Sequence, residues 1–299
     1  MNNIKRVFSI KDLENLSGIK AHTIRIWEKR YNLLSPHRTD TNIRTYSIKS
    51  LQKLLNITLL YNNGYKISKI AGFTDAQIIK LVKDLISENA IKSQAINDLK
   101  LSMVNFNPTL FTKTYKNLIA HKTFSEIFYD VFVPLLYELG LLWQTETITP
   151  AHEHFISNLI KQKILINTET LQETVSTDKN TTFVLFLPEH EIHEIGLLFL
   201  NHEIVKNGYH TIYLGPSMPL EDLADLNSYY PEITFITYFT VTPSFENIPD
   251  YLVRFNNLVN YKKKNKLWLL GNKISELDLD QLPENMCTFT GVSDLVKKL

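Results

Sequence analysis

A multidomain α and α/β architecture is predicted: a winged helix-turn-helix, then a four-helix bundle, then a doubly wound parallel sheet. Three observations carry it. Residues 1–73 hold 13 Lys+Arg against 4 Asp+Glu, a local charge of +9 in a chain whose total is +1. Residues 74–172 repeat apolar side chains at helical spacing. Residues 181–299 alternate short β-prone runs with helical ones, the pattern of a parallel sheet covered on both faces.

The bulk composition narrows the class further. Hydrophobic content of 44% and charged content of 21% are those of a globular protein with filled cores. The single cysteine, Cys287, excludes an intrachain disulfide framework and a multi-cysteine zinc site. The opening MNNIKRVFSIKDLENL lacks the apolar core of a signal peptide, and no apolar run approaches the ~20 residues that span a bilayer. A cytoplasmic protein with no membrane partner is expected. A basic head on an acidic body points to nucleic acid as the partner of the head.

In the head, Ser9 and Asp12 stand three apart, as in an N-capping pair, and Ser17-Gly18 supplies a C-terminal break. A second helix carries Ile24, Trp27 and Tyr31 on one side. Two short helices joined by a glycine-containing turn form a helix-turn-helix, whose second helix enters the major groove. The basic stretch from Leu34 to Tyr46 fits a hairpin wing laid along the phosphates. Ser47 to Asn62 then resumes helical spacing.

The middle reads as helical throughout, with Pro108 and Pro150 as interruptions, and a bundle of about four helices is the simplest packing. Within it, LLWQTETITPAHEHF places Trp143 at a helix end and Glu153 and His154 on the first turns of the next helix. An indole beside a carboxylate and an imidazole can wall a pocket, although a tryptophan there is more often core.

In the tail, strands are expected at 182–187, 210–214, 233–239, 266–270 and 287–290. Helices are expected after Gly196, over Leu220–Ser228, Ile248–Asn260, Ser275–Gln281 and Ser293–Leu299. The polar run Gln172–Thr182 reads as a linker. Ligands of such sheets bind at the carboxyl ends of strands, which directs attention to Leu187–Gly196, LPEHEIHEIG. No G-x-G-x-x-G, phosphate loop or G-x-S-x-G elbow occurs, and no acid/base constellation suggests substrate turnover.

Two resemblances rest on these residues. Thr23-Ile-Arg25-Ile-Trp27-Glu28, followed by Leu33-Leu34, Pro36, Arg38, Arg44 and Tyr46, resembles the winged helix-turn-helix of MerR-type transcription regulators. That implies double-stranded operator DNA as partner, with Thr23, Arg25 and Tyr31 at the groove or its flanking phosphates and Arg38, Arg44 and Tyr46 as wing contacts. A common wing glycine is Asn42 here, which tolerates the left-handed backbone of a turn.

Glu191-Ile-His193-Glu-Ile-Gly196 resembles the D-x-H-x-x-G motif of cobalamin-binding Rossmann-like domains, and Trp143 with Glu153-His154 matches the upper-pocket motif of cobalamin-binding regulators. Together they resemble the cobalamin-dependent, often light-responsive MerR-type repressors. The resemblance implies domains at 1–73 (DNA binding), 74–172 (helical cobalamin cap) and 181–299 (Rossmann-like cobalamin domain). It implies adenosylcobalamin or methylcobalamin as cofactor, with His193 as lower axial ligand of cobalt and Glu191 bonded to its second nitrogen. Trp143, Glu153 and His154 would cover the upper face, Gly196 as the close-packed helix start and Thr237 would belong to the cofactor site, and Gly271 would let the nucleotide tail pass. In light-sensing members adenosylcobalamin drives assembly into tetramers, so a homo-oligomer, dimer or tetramer, is expected.

Three positions depart from the pattern. Gln144 follows the tryptophan where some members carry histidine, Asn272 stands in place of a second glycine, and Thr237-Tyr238-Phe239 is bulkier than the usual serine-x-leucine. Two other readings stay open: a DNA-binding regulator whose cobalamin-type module assembles without cofactor, and a metal sensor built on His152, His154, His190, His193 and His202.

Overall fold

The computed structural model describes residues 7–39, 41–84, 88–174, 179–260, 264–276 and 282–299. The chain divides into two compact units, Met1–Leu159 and Ile160–Leu299.

The first unit opens with strand β1 (Val7–Phe8) and helix α1 (Ile10–Ser17). The expected cap is present. Ser9 Oγ accepts the Asp12 N–H, and the Asp12 carboxylate accepts the Ser9 N–H at 2.8 Å, which satisfies two otherwise orphaned donors. Gly18, with φ 76°, ends the helix in the left-handed conformation that glycine adopts without strain. Helix α2 (Ala21–Tyr31) buries Ile24 and Trp27.

Strands β2 (His37–Arg38) and β3 (Arg44–Ser47) pair antiparallel, and β1 pairs the other edge of β3. This is the expected wing, and Asn42 turns it with φ 62°. Helix α3 (Ile48–Asn62), capped by Ser47, supplies Leu51, Leu54, Leu55 and Ile57 to the core of the head.

After a short helix α4 (Ile67–Ile70), the helical stretch expected before Pro108 is two helices, α5 (Asp75–Lys83) and α6 (Glu88–Val104). Leu85 and Ile86, apolar residues of that stretch, lie outside the described residues. Helix α7 (Pro108–Ile119) starts at the proline, with Asn107 as its cap. The apolar stretch from Leu110 to Leu142 is interrupted at Ala120–Thr123. Thr123 and Glu126 form a second capping box there and start helix α8 (Phe124–Ile127). A π turn, Phe128–Phe132, leads into α9 (Val133–Gln144). Helices α6, α7 and the α8–α9 rod lie in the first unit, and α10 (Pro150–Thr174) begins there and continues into the second. Near the start of α10 the Phe155 ring meets Phe106 edge-on at 5.4 Å.

The second unit holds five parallel strands, β4 (Lys179–Pro188), β5 (Tyr209–Met218), β6 (Ile233–Tyr238), β7 (Lys266–Leu270) and β8 (Met286–Thr288). Helices α11 (Ile195–Lys206), α12 (Leu220–Leu223), α13 (Ile248–Leu258) and α14 (Val292–Val296) alternate with them. Except for a 3-10 turn at Asn272–Glu276, the helix expected over Ser275–Gln281 falls outside the described residues. The stretch read as a linker is partly structured, because α10 runs to Thr174 and β4 begins at Lys179.

Successive residues of a strand face opposite sides of the sheet, and β4 is apolar on both. Val184 and Phe186 join one core with Phe235, Phe239, Leu252 and Phe255. Phe183, Leu185 and Leu187 join the other with Leu197, Leu200 and Ile236.

The strand order is β5-β4-β6-β7-β8. The chain steps one way from β4 to β5, then returns past β4 to β6. The loops leaving β4 and β6 therefore part at a topological switch point, the usual ligand crevice of such sheets.

Candidate functional site

Across that switch point the loop after β4 is tied to the loop after β6 by one carboxylate. Glu191 is fully buried. Its Oε2 accepts the backbone N–H groups of Val241 at 2.6 Å and Thr242 at 2.8 Å. Its Oε1 accepts the N–H groups of Ile192 at 2.9 Å and His193 at 3.1 Å, and meets His193 Nδ1 at 2.5 Å. Burial alone would raise its pKa. The N–H groups of Thr242 and Val241, with the His193 side chain and N–H, outweigh it and hold the carboxyl at about 2.

The consequence for His193 is directional. With Nδ1 on an ionised carboxylate, the Nδ1–H tautomer is favoured and the lone pair falls on Nε2. The imidazole is 53% exposed, and among the described residues Nε2 has no hydrogen-bond partner. The loop is braced on either side. Lys273 Nζ donates to the carbonyls of Val241 and Pro243. Glu194 pairs with Lys161 at 2.9 Å and accepts the Tyr213 hydroxyl at 2.9 Å. Burial, then the Glu194 charge, pushes the Tyr213 phenol up, so it stays a neutral donor.

Of the remaining tail residues, Thr237 lies on β6, Gly196 in the first turn of α11 and Gly271 just after β7. Thr237 is fully buried and its Oγ1 has no hydrogen-bond partner among the described residues. Gly196 is close-packed, since a Cβ there would lie 3.2 Å from the Tyr238 ring. Gly271 has φ 115°, and a Cβ on it would lie 2.3 Å from the Phe239 carbonyl oxygen. The fold itself thus requires glycine at 271.

In the first unit Trp143 lies near the end of α9 with 57% exposure rather than in the core. Glu153 and His154 stand in the first turn of α10. Glu153 Oε1 accepts the Ser157 hydroxyl at 2.5 Å, and the His154 side chain is largely exposed.

The head presents a basic face. On α2 the exposed residues are His22, Arg25, Ile26, Lys29 and Arg30, spaced so that they line one side of the helix. Arg25 was expected there; His22, Ile26 and Lys29 were not, although helical spacing from Arg25 gives them. Thr23 and Tyr31 are half-buried at its margins, Thr23 Oγ1 3.3 Å from His22 Nε2 and the Tyr31 ring beneath the Arg30 guanidinium at 5.4 Å. Arg38 is exposed on the wing and donates to Asn42 Oδ1 at 2.5 Å.

One expected wing contact is corrected. Tyr46 is 1% exposed and its hydroxyl donates to Glu28 Oε1 at 2.5 Å. It faces inward because β3 packs that side on the helices. Arg44 Nε pairs with Glu28 Oε2 at 3.3 Å, and its side chain remains one-third exposed.

Among the described residues, no three His, Cys, Asp or Glu side chains are placed to hold a metal ion, so the histidine-cluster metal sensor has no site there. No helix among them is long and apolar enough to cross a membrane.

A winged head with a basic reading helix, joined to a helical bundle and a doubly wound sheet with a histidine at its switch point, defines a DNA-binding regulator carrying a ligand module. Residues 8–77 match the model of the MerR HTH family of regulatory proteins and residues 95–166 that of the B12 binding domain, so the chain joins a MerR-type head to a B12-binding domain. It is similar to the HTH-type transcriptional repressor CarH of Myxococcus xanthus, 26% identical over 73% of this chain and 74% of that one. The repressor CarA of the same organism is 23% identical over 70% and 68%. In fold it is similar to the Methanosarcina barkeri monomethylamine corrinoid protein, with a TM-score of 0.52 and 14% identity over 70% of this chain and 94% of that chain.

Proposed function

We propose that this transcription regulator is a repressor that senses a cobalamin, adenosylcobalamin or methylcobalamin, through its C-terminal half and answers with a change in oligomeric state. The observation that carries the reading is the Glu191–His193 pair. A buried, ionised carboxylate fixes Nδ1 while Nε2 faces outward from the crevice, which is how proteins prepare an imidazole as a metal ligand. The orphaned Thr237 Oγ1 gives the same crevice a buried hydroxyl able to bond a ligand. These donors fit a corrinoid. When bound, it would supply a cobalt that His193 could ligate through Nε2.

The residues of this chain have separate tasks. Glu191 orients the imidazole and locks the two switch-point loops together. Trp143 offers an exposed apolar surface, and Glu153 and His154 polar ones, for the upper face. Gly196 and Gly271 keep the backbone close to Tyr238 and Phe239. Arg25, Arg38 and Arg44 meet operator DNA, with Thr23 and Tyr31 at the flanking phosphates.

A second reading is favoured by Tyr238. Its ring fills the space beside Gly196, its phenol is pushed up to about 12 by burial, and Asn272 follows Gly271. A module packed in this way can act without cofactor, by protein contacts alone.

One experiment separates the two. Protein mixed with adenosylcobalamin is passed through gel filtration, in the dark and after illumination, and each fraction is assayed for DNA binding. Colour that travels with the protein, with an altered elution volume and altered DNA affinity, supports the first reading. Colourless protein that still assembles and binds DNA supports the second.

A further inference from the structure

We propose that Lys100 is the positioning residue that seats the helix-turn-helix on the helical bundle, and that the bundle tunes DNA affinity through this seat. The inference deepens the regulatory reading above and depends on it only for the identity of the signal.

Helix α1 ends at Ser17 and has no basic residue in its last turn, where carbonyls lack intrahelical partners and the dipole favours a cation. The cation comes from 84 residues away. Lys100 of α6 places Nζ 3.1 Å from the Leu16 carbonyl and 2.8 Å from Glu138 Oε2 on α9. Lys100 is only 7% exposed. An ammonium so buried is costly unless paired, and an apolar side chain would fill the position at no such cost. What the lysine adds is geometry: removing either partner leaves it unsatisfied, so α1 and α9 are held in one arrangement.

A second tether is independent of the first. Asn15 Nδ2 donates to Thr147 Oγ1 at 2.6 Å, and Thr147 Oγ1 lies 3.0 Å from Thr145 Oγ1. Both tethers therefore reach α1 from the neighbourhood of Trp143: Glu138 lies five residues before it on α9, and Thr147 four residues after it in the turn to α10. Around them is a cavity of about 440 Å³ bordered by Ser17 and Gly18 of the head and by Leu141, Leu142 and Thr145 of the bundle. A joint held by directional polar contacts beside open space can shift without steric clash. The exposed face of α2, with Arg25, Ile26 and Lys29, stays uncovered, so the seated head is ready to read DNA. Releasing it restores freedom that binding must then remove.

The test uses the full chain and DNA selected from a random pool by the wild-type protein, titrated by fluorescence anisotropy with and without adenosylcobalamin. Lys100→Met is expected to weaken binding of the cofactor-free protein at least about fivefold, within the range of ordinary coupling between sites. It is also expected to bring the ratio of affinities with and without cobalamin towards one, while cobalamin uptake stays that of the wild type. Lys100→Arg recovers part of both effects, and amide exchange in α1 quickens in Lys100→Met but not in Lys100→Arg. If Lys100→Met does not fold, Asn15→Ala and Thr147→Val carry the test, with smaller losses of the same kind. Wild-type affinity and wild-type cobalamin ratio in every folded variant would overturn the proposal. A wild-type protein that takes up no cobalamin overturns the cobalamin reading instead, and the affinity losses of the cofactor-free variants still decide the seat.

Discussion

The buried carboxylate of Glu191 lies 2.5 Å from Nδ1 of the exposed His193 imidazole. The same carboxylate collects backbone N–H groups from both sides of the switch point. It therefore joins the stability of the sheet's working end to the chemistry of the exposed His193 imidazole.

A pH dependence follows from this carboxylate. Its pKa falls from 4.5 in the unfolded chain to about 2, so folding gains about 3 kcal/mol above pH 4.5 that is lost as the pH drops towards 2. His202 adds a separate limb. Burial, then the Lys206 charge, holds it at about 4 instead of 6.5, so the stability it contributes above pH 6.5 is lost as the pH falls through 4. Urea midpoints from pH 8 to 2 should fall in both windows. Glu191→Gln should flatten the lower window and leave the upper one. It should also cost about 2–4 kcal/mol at pH 7, because its amide must point a donor at donors.

Two glycines should respond unequally to alanine. At Gly271 the added Cβ meets the Phe239 backbone and the φ of 115° is itself unfavourable, so Gly271→Ala should cost more than about 3 kcal/mol. At Gly196 the obstacle is the Tyr238 ring, which can rotate, and the cost should be about 1 kcal/mol. Thermal melts of the two variants check the order. Equal losses would mean that the Phe239 backbone gives way.

For the head, the inward-facing Tyr46 separates stability from DNA binding. Tyr46→Phe removes a hydrogen bond to Glu28 and should lower stability by about 1–2 kcal/mol with unchanged DNA affinity. Arg25→Ala and Lys29→Ala should do the reverse, weakening binding and reducing its salt dependence. Anisotropy titrations at several salt concentrations distinguish the two patterns.

Local chemistry was the legible part of this chain. The Ser9–Asp12 cap, the Gly18 stop, the five β-prone runs and the Glu191–His193 pair each lie within a few residues, where spacing dictates geometry. The Thr123–Glu126 box was equally local, and a search for S/T-x-x-E would have shown the break between α7 and α8. Partners chosen by tertiary packing were not legible. The N–H groups of Val241 and Thr242 that hold Glu191 lie 50 and 51 residues further on and belong to the backbone, which no side-chain motif records. Tyr46 turned inward because the helices cover that face of β3, and Lys100 finds its acceptors on α1 and α9. The tail glycines show a related limit. Gly196 and Gly271 match a ligand motif in sequence, yet in the fold their immediate neighbours are Tyr238 and Phe239.

The central claim, that His193 is an axial cobalt ligand oriented by Glu191, is tested most directly by visible absorption spectra of the wild-type and His193→Ala proteins after gel filtration with adenosylcobalamin. The wild type should retain the cofactor, and His193→Ala should shift the spectrum towards that of the base-off cofactor or lose the colour. Identical spectra at equal occupancy, or a wild type that emerges colourless, would contradict it.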